Sequence, residues 1–397
     1  MRTAVSFKWI VLIGLPIIMW QCYWYVGFNQ EYTKIINFVS SFVLLAYVGV
    51  NVLKEKSHGY ERYVKLILVL FLISLLMSFL YWGQSPSLTY RAGVSVLSVL
   101  YFFILKKYDV TEQELIKIVS VFAGIYVVLW IFALTQAPRV VFGELDEIAN
   151  DRGFYRILQL RSLDTVCIFY FISLTRAINQ AKKAKWITLT ILSFLVIFLS
   201  LTRMLVFAII VVSGFYILRK RFVLAVLLVV VLLFSYDRLT QYDVVYGMIK
   251  MTEGHIREKE EGNLRLVEYK NVFTAYPSHI GTALFGNGSP HIQSSYGKYD
   301  DRLKSSIGFN LSDAGYVGVY VEYGIFMLII LFLLLIKVIR DKIPLQYHPY
   351  KLFIITLFIF CITSYSFWKY GISFAISLYA LSIAGKKRNI TTSISNG

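Results

Sequence analysis

Charged residues stand inside or at the ends of apolar runs at Arg91, Arg161, Asp164, Arg203, Asp313 and Glu322. An ion in hydrocarbon costs roughly 2.5–3.5 kcal/mol or more, so each marks a functional candidate. The types present define the chemistry they could do. A guanidinium is a fixed, permanently charged fork suited to phosphate, and a carboxylate can take a proton from an attacking hydroxyl. Arg161 and Asp164 are three residues apart, close enough to pair on one helix face. Asp313 immediately precedes an apolar run, which fits a reactive carboxylate and equally a helix N-cap. Glu322 follows nine residues later, about 14 Å along a helix. It fits acceptor binding, or the locking of arginines on neighbouring spans.

A Gly-rich segment, G-T-A-L-F-G-N-G-S-P from Gly281 to Pro290, adds Gly286 and Gly288. It can bring backbone amides to an anion, and it is equally good turn chemistry. His255, His279 and His291 lack zinc-ligand spacing. Cys22, Cys167 and Cys361 each lie in an apolar run and suggest neither disulfide nor metal site. No metal or other cofactor is expected.

The elements that must carry these residues are membrane helices. With 57% hydrophobic residues, 16% charged residues and 397 residues in all, the chain has too little polar surface for a soluble body; its mean hydropathy is +0.64. Apolar segments near the ~20 residues that cross a bilayer recur, at 9–26, 35–53, 63–82, 88–105, 116–135, 157–175, 186–201, 204–218, 222–235, 313–336, 352–368 and 371–385. The expectation is an all-α polytopic protein of about twelve spans. Spans 1–9 would occupy residues 1–235 and spans 10–12 residues 312–385, with a large loop at 236–311 and a tail at 386–397.

Charge orients the spans. With the N-terminus inside, the inner segments collect 23 of the 40 basic residues and six acidic ones, a net +17, leaving 17 of each sign elsewhere. This is positive-inside asymmetry and excludes a nucleic-acid role. Both termini are then cytoplasmic and the long loop extracytoplasmic, with tryptophans such as Trp20, Trp82 and Trp368 at span ends. The long loop holds nine basic and nine acidic residues, so it is no general anion trap. On this topology Arg91, Arg161, Asp164, Arg203, Asp313 and Glu322 all fall in the outer half of the membrane. A transporter places such groups around the midplane as well; a site for a lipid-linked substrate at the outer leaflet gathers them here.

Three motifs carry a family resemblance. D-A-G-Y-V-G-V-Y-V-E-Y-G-I, Asp313 to Ile325, resembles the signature after the large periplasmic loop of Wzy-type O-antigen polymerases and the related O-antigen ligases. S-L-T-R, ending at Arg203, resembles their Ser/Thr-Arg turn between spans. N-L-R-L-V-E-Y-K-N-V-F, Asn263 to Phe273, followed by L-F-G-N-G, is similar to their loop helix with its arginine and Gly-rich turn.

The resemblance implies a membrane-embedded, GT-C-like, metal-independent, inverting glycosyltransferase in the bacterial cytoplasmic membrane. Its donor and acceptor would be oligosaccharide units on undecaprenyl diphosphate, drawn from the lipid phase, with a chain-length regulator protein as a candidate partner. Arg203 and Arg265 would hold the diphosphate, and Asp313 would serve the acceptor. Arg91, Arg156, Arg161, Asp164, Gly286, Gly288, Tyr316, Tyr320 and Glu322 would line the substrate. Ligases carry a His-Asn pair where this chain has Asp313-Ala314, which favours a polymerase; His279 or His291 would be the substitute base. The alternatives are an O-antigen ligase using the same site and, from another class, a polysaccharide flippase or secondary transporter.

Overall fold

The computed structural model describes residues 2–20, 30–51, 57, 59–136, 139, 141–142, 162–180, 183–200, 202–220, 276, 279–307, 311, 314–365 and 367–395. Among these the chain is all-helical, with no strand element. The first part comprises α1 (Arg2–Trp20), α2 (Gln30–Asn51), α3 (Glu61–Trp82), α4 (Pro86–Ala92), a 3₁₀ stretch (Val94–Leu100) and α5 (Tyr101–Lys107). It continues with α6 (Glu112–Gln136), α7 (Leu163–Asn179), α8 (Lys183–Leu199) and α9 (Arg203–Lys220). Two short loop helices follow, α10 (Ile280–Phe285) and α11 (Ser295–Ile307). The last helices are α12 (Tyr316–Arg340), α13 (His348–Phe360) and α14 (Gly371–Ser395).

Helices stand at eleven of the twelve expected positions, and the ninth lies outside the described residues. Three of them, α3, α6 and α12, are long and apolar enough to cross a membrane. A further pair, α4 and the Val94–Lys107 stretch, is apolar and long enough only when taken together, and it bends by 68° at the break. The turn expected at S-L-T-R is where α8 ends and α9 begins. α12 starts at Tyr316, and its N-cap position is Gly315, at φ 54°; Asp313 lies outside the described residues.

Apolar side chains explain the packing. Leu, Val, Ile and Phe residues such as Phe71, Leu97, Phe171 and Leu331 are fully buried between helices. Others, such as Leu76, Phe79, Leu80, Ile329 and Leu333, face outward, as expected of surfaces whose solvent is lipid. α12 packs on α3, α10 and α13, and α13 also packs on α7, α9 and α14.

The fold departs from expectation most within the long loop. Its Gly-rich part does not stay beyond the helix ends. Gly288 lies against Ser78 and Ser74 of α3, four and eight residues before Trp82, or ~6–12 Å below that end of the helix. Gly286 lies against Glu322 and Tyr323, and Leu284 against Gly324, well inside α12. Irregular backbone at that depth is tolerated only where protein buries it and satisfies its polar groups.

Candidate functional site

α12 is interrupted at Gly324, whose φ of 76° and ψ of 177° suit glycine alone. The break frees carbonyls that a continuous helix would use. The amide and the Nδ2 of Asn287 donate to Val321 O at 2.8 and 3.1 Å, and the Gly288 amide donates to Glu322 O at 2.9 Å. The Gly286 amide donates to Thr282 O at 2.7 Å. The amides of Gly286, Asn287 and Gly288 are therefore engaged within the protein. Gly286 and Gly288 have positive φ, 84° and 74°. A Cβ on Gly286 would lie 2.2 Å from Glu322 O, so close approach to α12 is what demands glycine.

Gln84, buried just past α3, fastens the same segment from the other side. Its Nε2 donates to Ser289 O at 2.9 Å and to Thr89 Oγ1 at 2.7 Å. Its Oε1 accepts from the His291 amide at 3.0 Å and from Ser294 Oγ. Trp82 Nε1 donates to Asn287 Oδ1 at 2.9 Å, and Tyr296 Oη donates to Gly288 O at 3.2 Å. Trp82 and Tyr296 stack at 4.3 Å, as do Tyr81 and His279 at 4.8 Å.

These contacts place a carboxylate among hydroxyls. Ser289 Oγ and Tyr365 Oη both donate to Glu322 Oε2, the latter at 3.1 Å. Tyr323 Oη lies 2.8 Å from Ser289 Oγ. Glu322 itself is 7% exposed. Above it, Tyr276 Oη donates to Asp300 Oδ1 at 2.6 Å, and Asp300 also pairs with Lys304 at 2.9 Å. Burial, then Asp300, raises the Tyr276 phenol well above its ordinary range. His291 sits at the rim near Arg91, where burial first and the Arg91 charge second lower its pKa. Its Nδ1 accepts from the Gln293 amide at 3.3 Å, so that nitrogen is occupied and poorly placed to act as a base.

The structure thus brings Glu322, Gly286 and Gly288 into one place, with Arg91 and His291 beside it. Glu322 meets hydroxyls there, and among the described residues it locks no arginine. His279 stacks on Tyr81 as a packing residue at the start of α10. Tyr316 donates to Phe358 O at 2.7 Å. With Tyr320, Ala283 and Leu284 it also lines an apolar groove of about 380 Å³ between α10 and α12.

Asp164 lies apart on α7. It is 1% exposed, and among the described residues neither carboxylate oxygen has a hydrogen-bond partner. Lys369, just before α14, and Ser373, in its first turn, are its polar neighbours. Arg203 opens α9, where the Val206 amide closes the first turn on Thr202 O at 3.0 Å. A cation in a first helical turn opposes the helix dipole, at about 0.3–1 kcal/mol. Arg156, Arg161, Arg265 and Asp313 lie outside the described residues.

Sequence reasoning missed Gln84, Ser289, Tyr365 and Lys369. Gln84 alone left a trace: it is a polar residue directly after an aromatic span end, in Y-W-G-Q. Compared with models of known protein families and with curated protein sequences, the chain finds no match.

Proposed function

We propose that this chain is an inverting, metal-independent glycosyltransferase that polymerises oligosaccharide units carried on undecaprenyl diphosphate at the outer face of the bacterial cytoplasmic membrane. The observation that carries the reading is the polar cluster around Glu322. It is set into the membrane-embedded helices by a loop segment that packs below the ends of α3 and α12. A substrate whose sugar stands in water while its diphosphate rides on a lipid meets the protein at that level.

The chemistry divides among few groups. An acceptor hydroxyl attacks the anomeric carbon of the donor, the C1–O bond to the diphosphate breaks with inversion, and the lipid diphosphate leaves. Guanidinium groups bind and orient the developing phosphate charge, the role given to Arg203 together with Arg265. Arg203 stands at the start of α9, and α9 packs on α13. The helix N-terminus adds partial positive charge of the same sign.

The transporter reading fits less well. In transporters the carbonyls exposed by a broken span coordinate the coupling ion, whereas here Val321 O and Glu322 O accept from Asn287 and Gly288.

The test is genetic and chemical together. Cells lacking the gene, complemented with wild type, regain long glycan; complemented with Arg203→Ala at equal protein level, they accumulate single lipid-linked units. Full-length polymer from Arg203→Ala refutes the diphosphate role. An acceptor left with no glycan at all in the deletion, instead of one unit, identifies a ligase.

A further inference from the structure

The carboxylates described near the outer end of the bundle differ in what their oxygens are doing. Both oxygens of Asp164 are sealed in the protein. Asp300 is consumed, one oxygen by Tyr276 and the other by Lys304. Glu322 is held at one end only. Ser289 Oγ and Tyr365 Oη converge on Oε2, and among the described residues no hydrogen bond is directed at Oε1. Two donors on one oxygen fix the plane of the carboxylate and leave the other oxygen aimed and unspent. That is the arrangement of a base oriented by neighbouring groups.

The supports of Glu322 come from separate parts of the chain. Ser289 belongs to the loop segment clamped by Gln84, and Tyr365 to the connection between α13 and α14. The titratable groups facing the cluster are Tyr276, Tyr296, Tyr323, Tyr365 and Asp300. Of these only Asp300 is a carboxylate, and its oxygens are taken.

We propose that Glu322 is the general base of the transfer, taking the proton of the acceptor sugar hydroxyl on Oε1, with Ser289 and Tyr365 as its positioning residues. This rests on the glycosyltransferase reading above. The O–H bond of the acceptor breaks as its oxygen bonds to C1 of the donor. The proton passes to Glu322, and the electron pair of the C1–O bond leaves with the lipid diphosphate. No oxidant or further reactant is needed.

The experiment uses the full chain in lipid nanodiscs, with a synthetic disaccharide on undecaprenyl diphosphate as donor and acceptor. Rates are followed from pH 5 to 9. Wild type gives a kcat/KM that falls on the acid side as the base becomes protonated. Glu322→Gln, whose amide oxygen still accepts from Ser289 and Tyr365, lowers kcat at least ~100-fold. It leaves KM within about threefold and loses the acid limb. Ser289→Ala and Tyr365→Phe, which keep the carboxylate, lower kcat about tenfold and retain the limb; they preserve the test if the Gln variant does not fold. A folded Glu322→Gln with wild-type kcat and the same acid limb overturns the base assignment alone. So do Ser289→Ala and Tyr365→Phe variants that both turn over like wild type. Wild-type protein that transfers no sugar at any pH overturns the transferase reading, and the base with it.

Discussion

Replacing Gly324 by alanine tests the architecture at its most constrained point. The backbone there is at φ 76° and ψ 177°, a region costing a side chain roughly 1–3 kcal/mol. The added Cβ would stand 2.3 Å from Leu284 O, 2.4 Å from Leu284 C and 2.5 Å from Phe285 N, all backbone atoms with no rotamer to move. The loop segment must therefore retreat from α12. Retreat breaks the bonds from Asn287 N, Asn287 Nδ2 and Gly288 N to the carbonyls of Val321 and Glu322, at about 1 kcal/mol each. The sum is roughly 4–6 kcal/mol, beyond the usual range for one substitution. Gly124→Ala is the control: it lies inside α6 with nothing within 4 Å of an added Cβ, and alanine there gains up to ~1 kcal/mol in helix propensity. Unfolding of both variants in detergent micelles, followed by helical circular dichroism against added SDS, measures the gap. A Gly324→Ala protein within about 1 kcal/mol of the control would refute both the break and the packing of the loop segment against it.

Other perturbations probe neighbouring parts. Gln84→Leu keeps the volume but strands the His291 amide and Ser289 O in a buried site, at roughly 1–3 kcal/mol for each unsatisfied group. The expected loss is about 3–5 kcal/mol, and Gln84→Glu, which keeps the acceptor for the His291 amide but sets a carboxylate oxygen against Ser289 O, loses at least as much; the same unfolding titration checks both. At His291 the folded imidazole binds its proton less tightly than the unfolded one, whose value is 6.5. The unfolded chain therefore takes up more protons below that pH, and stability is full above it and declines as the pH falls. Melting temperatures at pH 7.5 and 5.5 should show this decline reduced in Arg91→Gln and absent in His291→Gln.

How much was legible differs from residue to residue. Leu, Val, Ile and Phe runs locate helices because hydropathy is a local sum, and α3, α6 and α12 fall where the runs lie. The break in span 4 at Gly93 and that in span 10 at Gly324 left no mark in hydropathy, since glycine within an apolar run changes the average little. Glu322 was legible as a costly intramembrane charge, but its surroundings were not. Ser289 lies 33 positions away and Tyr365 43, and serine and tyrosine are ordinary in such a sequence. Asp164 was expected to pair with Arg161 three positions earlier, and Arg161 lies outside the described residues. Lys369, a distant residue in sequence, is a cationic neighbour of Asp164 that the sequence did not suggest.

The sequence by itself determined that the chain is helical and that apolar helices suited to a membrane carry it. Those properties follow from transfer free energies of single residues added along the chain. Only the tertiary structure decided that the Gly-rich segment leaves the loop and packs against α12. It also decided that Gln84 clamps that segment and that Ser289 and Tyr365 meet on one oxygen of Glu322. Each of these depends on groups distant in sequence meeting within hydrogen-bond range, and glycine is required at 286 and 324 because two backbones touch there.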